Sequence, residues 1–196
     1  TLNNRDYNKL KENKPDIILL TCKNILNTKE EDIFLTNARN CLKAGLKTGA
    51  FIYGHAVDEH DGASELKVLL KILSKFSKDF SGLIIYSVDE EYIKDNQDDE
   101  KKILDYINVY NAIITTLKRS GYMAIISMGL ESSKIIEDVM NRNNMGREHV
   151  ITYMVVVRDV DELRDGMPRI IVDPWNDYDT VILNNAELEN SLRQRL

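Results

Sequence analysis

Proline and tryptophan are scarce, three and one in 196 residues, and no stretch reads as a Pro-rich linker or a low-complexity tract. The two cysteines, Cys22 and Cys41, are too few for a disulfide framework. They fall in a strand-like and a helix-like segment, where buried free thiols are the plainer expectation. No apolar run approaches the roughly 18–20 residues that cross a bilayer, and the opening Thr1-Leu2-Asn3-Asn4 lacks the apolar region of a signal peptide. Basic residues are also outnumbered: 26 Lys and Arg stand against 32 Asp and Glu, a formal net charge of -6. That balance argues against nucleic acid as a partner, because phosphate binding needs clustered cations. A Gly-rich phosphate loop, a G-x-S-x-G elbow and a locally supported Cys/His nucleophile pair are all missing, so nucleotide and esterase chemistry lose ground.

What is present is an ordinary globular composition, 43% hydrophobic and 30% charged, in a length that one core can organise. The expectation is a single domain over residues 1–196. Because the sequence begins with Thr rather than Met, that domain is expected to be a processed or excised piece of a longer chain. Short apolar runs alternate with segments of helical spacing, the pattern of strand–helix units around a parallel sheet. The runs are Ile17–Leu20, Thr48–Tyr53, Leu83–Val88, Met123–Ser127, Ile151–Val157, Arg169–Val172 and Thr180–Leu183. Most are apolar on both faces, as strands covered on both sides should be. Helices are predicted from Ile33 to Ala44, Ala63 to Phe76, Glu100 to Ser120 and Ser132 to Asn141, with Gly45 and Gly121 as left-handed stops for the first and third. In the third, Leu104, Ile107, Asn111, Ile114 and Leu117 form the predicted buried stripe. No full helix fits between the last strands, so the sheet is expected to finish as strands joined by loops.

In parallel α/β folds ligands bind at the carboxyl ends of strands, which directs attention to Asp89-Glu90-Glu91 after the third run. In an extended segment Asp89 and Glu91 would project to one side and Glu90 to the other. Two like charges held together push one carboxyl toward its protonated form, a pairing suited to general acid catalysis at a glycosidic bond. A solvated loop, or the N-cap of the next element, explains the same three residues. Asp179 opens the last run, near Trp175 and Tyr178, whose rings suit sugar stacking or packing, while Asp-Pro and Asn-Asp are also ordinary turn formers. His55 and His60 share a loop with Asp58, Glu59 and Asp61; a hydrated acidic loop accounts for it, since no spacing matches a known zinc or calcium motif. No metal and no cofactor are expected.

The order of segments resembles the family 25 glycoside hydrolases, the Chalaropsis-type lysozymes that cleave the glycan of peptidoglycan. Asp6-Tyr7-Asn8-Lys9-Leu10 followed by Pro15-Asp16-Ile17-Ile18-Leu19-Leu20 resembles the stretch in which that family's Asp-Trp pair leads to its second strand. Asp32-Ile33-Phe34-Leu35-Thr36-Asn37 with Ala44-Gly45-Leu46-Lys47-Thr48-Gly49-Ala50-Phe51 resembles its D-x-x-F-x-x-N and A-G-L-x-x-G-A-Y passage. The triplet falls at the family's D-x-E motif, and Tyr178-Asp179-Thr180-Val181 resembles its closing V-D-x-N strand. The resemblance implies a TIM-like β/α barrel with regular β/α units first and irregular strands at the C-terminal end. It implies Glu91 as general acid, with Asp89 and Asp179 as supporting carboxylates, and Phe51, Tyr53, Trp175 and Tyr178 along the sugar site. The family's first strand, with its D-x-S aspartate, would lie upstream of Thr1. Ile52 and Ile126 stand where the family has His and Tyr, and its W-x-A and W-Q-Y aromatics have no counterparts near Tyr153 or Val172.

The functional expectation is therefore a retaining, muramidase-like peptidoglycan hydrolase, extracellular and associated with the cell wall or with a phage particle. Its partners would be peptidoglycan glycan chains and other domains of a larger polypeptide, without nucleic acid or membrane. Two alternatives stand beside it. One is a catalytically inactive barrel serving as a glycan-binding or assembly module, motivated by the lost aromatics and the absent first strand. The other is a metal-dependent deacetylase, supported only by the His55 and His60 loop.

Overall fold

A computed structural model describes residues 16–76 and 80–145, together with the backbone of strands 153–157, 170–172 and 179–182. Its elements run β1 (Ile17–Cys22), α1 (Thr28–Lys43), β2 (Thr48–Tyr53), α2 (Glu59–Leu73), β3 (Phe80–Ser87), α3 (Glu90–Asp95), α4 (Glu100–Arg119), β4 (Met123–Ser127), α5 (Leu130–Arg142), β5 (Tyr153–Val157), β6 (Ile170–Val172) and β7 (Asp179–Ile182). The mixed α/β class read from the alternation is what the chain adopts. β1 to β4 form a four-stranded parallel sheet in sequence order, and β5 joins it in parallel beside β4. β7 then pairs antiparallel with both β5 and β6, and β6 returns to pair parallel with β1. The two antiparallel ladders distinguish these pairings from the eight parallel strands of a regular (β/α)8 barrel.

Local chemistry explains the element boundaries. Asn27 caps α1 by accepting from the backbone N–H of Lys29, and Asp58 and Asp99 cap α2 and α4 in the same way. Gly45 (φ 73°) and Gly121 (φ 90°) take the left-handed backbone that stops α1 and α4; after Gly121, Tyr122 N–H donates back to the Leu117 carbonyl at 3.1 Å. The helices cover one face of the sheet. Leu20, Ile52, Ile84, Tyr86 and Ile126 on the strands join Phe34, Leu69, Ile107 and Val139 on the helices in one core. Each such side chain contributes roughly 1.5–3 kcal/mol through its burial.

The buried stripe of α4 is rotated from the expected one. It runs through Ile103, Tyr106, Ile107, Tyr110, Ile113, Ile114 and Leu117, with Leu104 only half-buried, so two tyrosines lie where the simple apolar pattern passed them over. Cys22 and Cys41 are buried and form no disulfide with each other, as expected. Among the described residues no helix is long and apolar enough to cross a membrane.

Candidate functional site

Alternation along the parallel strands sorts their side chains. Ile84 and Tyr86 of β3, with Ala124 and Ile126 of β4, pack in the helix-covered core. Ile85 and Ile125 are equally buried yet take no part in it, so the odd-numbered positions of these two strands face the other side of the sheet. That inner face continues to the carboxyl ends, where Tyr53, Ser87 and Ser127 lie side by side in register. Phe51 and Tyr53, both expected along a sugar site, share it, with ring centroids 5.2 Å apart and Tyr53 41% exposed.

The acidic triplet departs from its expected geometry. Asp89 ends the extended segment, but Glu90 and Glu91 form the first turn of α3, so alternation stops at Asp89 and the period becomes helical. The physical reason is capping. The Asp89 carboxylate accepts from the backbone N–H of Glu91 at 3.0 Å and of Tyr92 at 3.2 Å, satisfying two otherwise unpaired donors. Glu91 is exposed and does not share a strand face with Asp89. Glu90 reaches the start of α5, where it accepts from Gly129 N–H at 2.9 Å and from the Ser132 hydroxyl at 3.2 Å. Gly129 has no side chain with which to cap α5, and a Cβ there would sit 2.6 Å from Glu90 Oε2.

Behind Asp89 lies a set of polar groups that the sequence reading missed. The Tyr106 hydroxyl accepts the Asp89 N–H at 2.8 Å and lies 3.2 Å from the Tyr110 hydroxyl; the Tyr92 ring stacks on Tyr106 at 4.7 Å. Burial pushes both Tyr106 and Tyr110 hydroxyls upward, so each remains a neutral donor. One strand over, Glu65 of α2 is 1% exposed. It accepts from the backbone N–H of His55 at 2.9 Å and from the Tyr86 hydroxyl, fixing the chain just beyond β2 to β3. Burial raises the Glu65 carboxyl, and the His55 N–H bond opposes that rise. Two signals were available in the sequence: tyrosines four apart on a helix, and a Glu that shares helical spacing with Leu69, Ile72 and Leu73.

His55 and His60 are not brought together. His55 Nε2 lies 2.7 Å from the Lys23 carbonyl, whereas His60 gathers with Asp58 and Asp61, their ligand atoms within 4.8 Å of one another at the start of α2. Asp58 is already the N-cap there, accepting from Asp61 N–H at 2.8 Å. A cleft of about 460 Å³ runs from this loop to Tyr92 and Asp105. Asp179 is the first residue of β7, paired in register with Val172 at the end of β6; its side chain, and Trp175 and Tyr178 entirely, lie outside the described residues.

No family model matches the chain, and no curated protein matches it significantly. Two solved structures do. One is the modular autolysin LytC from Streptococcus pneumoniae in complex with a synthetic peptidoglycan ligand, with a TM-score of 0.57 and 16% identity. The other is LytC at 1.6 Å resolution, with a TM-score of 0.52 and 15% identity. Each match covers 90% of this chain and 42% of LytC, so the chain spans less than half the length of the protein it resembles. Identity this low establishes a distant likeness of fold.

Proposed function

We propose that the chain is a peptidoglycan-hydrolase-like domain, built as an irregular β/α barrel of the family 25 kind, which receives cell-wall glycan at the carboxyl ends of its parallel strands. The observation that carries this reading is Asp89: a carboxylate directly beyond the end of β3, anchored through its backbone by Tyr106, in a fold shared over 90% of the chain with an autolysin solved with a peptidoglycan ligand. Asp89, Glu91 and Asp179 are the candidate carboxylates, with Phe51 and Tyr53 supplying aromatic surface and Trp175 and Tyr178 completing the proposed set. Such a domain would work outside the cell, at the wall or on a phage particle, attached to further domains.

The test is release of muropeptides from purified cell walls, with the new reducing end identified. Asp89→Asn, Glu91→Gln and Asp179→Asn are compared with the parent. Losing a general acid costs about 10²–10⁴-fold in rate, so one of the three should fall that far while its thermal unfolding stays near the parent's. If all three release muropeptides at the parental rate, the hydrolase reading fails. A non-catalytic glycan-binding module is the second reading, favoured by the exposed Glu91 on α3 and by the engagement of the Asp89 carboxylate in capping that helix. Glycan binding by a parent that releases no muropeptide would establish it.

A further inference from the structure

Ser87 closes β3 on the inner face, two positions before Asp89, and Glu91 has left the strand for a helix. Beside Ser87 in register is Ser127 of β4, and beside it on the other side is Tyr53 of β2. Ser127 is only 4% exposed, whereas Tyr53 at the other end of the row is 41% exposed. A row of polar groups that runs from a buried serine to an exposed ring suits a ligand site, where a few placed hydroxyls fix the ligand's orientation. The strand register puts Ser127 on the same side as Ser87 and the Tyr53–Phe51 ring pair.

Resting on the glycan reading above, the geometry points to Ser87 and Ser127 as the floor of the sugar site, a neutral subsite that hydrogen-bonds an uncharged group of the ligand while Tyr53 offers its exposed ring. Hydroxyls both donate and accept, so the floor takes either a ring hydroxyl or an acetamido group. It does not supply the second carboxylate that the triplet was expected to provide.

Binding of N-acetylglucosamine tetramer and of cellotetraose to the 196-residue chain, measured by titration calorimetry, tests this. Ser87→Ala and Ser127→Ala should each weaken binding about three- to tenfold, the worth of one hydrogen bond. Ser87→Thr, which keeps the hydroxyl, should retain most of the affinity, and Ser120→Ala at the far end of α4 should change nothing. Tighter binding of the N-acetylated tetramer assigns the floor to the acetamido group; equal binding assigns it to a ring hydroxyl. A parent that binds one or both tetramers while both alanine variants match it overturns the floor and leaves the glycan reading standing. A parent that binds neither overturns both.

Discussion

At the scale of single residues, Glu65 is the group whose chemistry departs furthest from its apparent role as a helix surface charge. It sits among Leu69, Ile72 and Leu73 on the buried face of α2, and burial holds its carboxyl above the ordinary carboxylate range. Between the ordinary value and the raised one, the unfolded chain has released this proton while the folded chain keeps it. Glu65 therefore supports folding fully below its ordinary value, and that support is lost as pH rises through the folded value. Glu65→Gln should flatten the stability profile in this window, read from urea midpoints between about pH 4 and pH 8. Glu65→Leu, which strands the Tyr86 hydroxyl and the His55 N–H, should lie about 1–3 kcal/mol below Glu65→Gln at every pH. A Gln variant with the parent's pH dependence would show that the carboxyl does not carry it.

At the scale of elements, two glycines mark close approaches of different rigidity. A Cβ on Gly54 would lie 2.2 Å from Tyr86 Cε1 and 3.0 Å from the Ser87 carbonyl, a buried ring and a strand backbone that cannot yield. On Gly129 it would meet the end of the Glu90 side chain, which can swing away at the cost of the cap on α5. Gly54→Ala should therefore destabilise by about 1–3 kcal/mol or more and Gly129→Ala by about 0.5–2 kcal/mol. Thermal unfolding of the two variants checks the order, and a larger loss at Gly129 would contradict it. The same scale explains the misread triplet. Asp89 satisfies α3 donors with its own side chain, so a capping interaction three residues long overrides the extended geometry that the preceding strand suggested.

At the scale of the molecule, the thiols report on cooperativity. Cys22 is fully buried at the end of β1, which pushes its thiol up to about 12, and Cys41 is buried on α1 against the same core. Both should resist a disulfide-exchange reagent in the native chain and react only across the urea transition that also removes the far-ultraviolet signal; labelling well before it would mean that α1 opens on its own. The strands and the long helices were legible because they are written in local terms: apolar runs with period two, apolar stripes with period 3.6, and glycines after helix ends. Gly45 and Gly121 stop α1 and α4 where the sequence predicted. The sequence also pointed to the proposed site, since Asp89 follows an apolar run whatever its partners. Its make-up was decided by tertiary structure. Which side of β3 faces away from the helices, that Ser127 lies beside Ser87, that Tyr106 reaches Asp89 from 17 positions away and that Glu90 serves α5 from 39 positions away all depend on strand register and helix packing. Those relations join residues far apart in the chain, and no local periodicity encodes them.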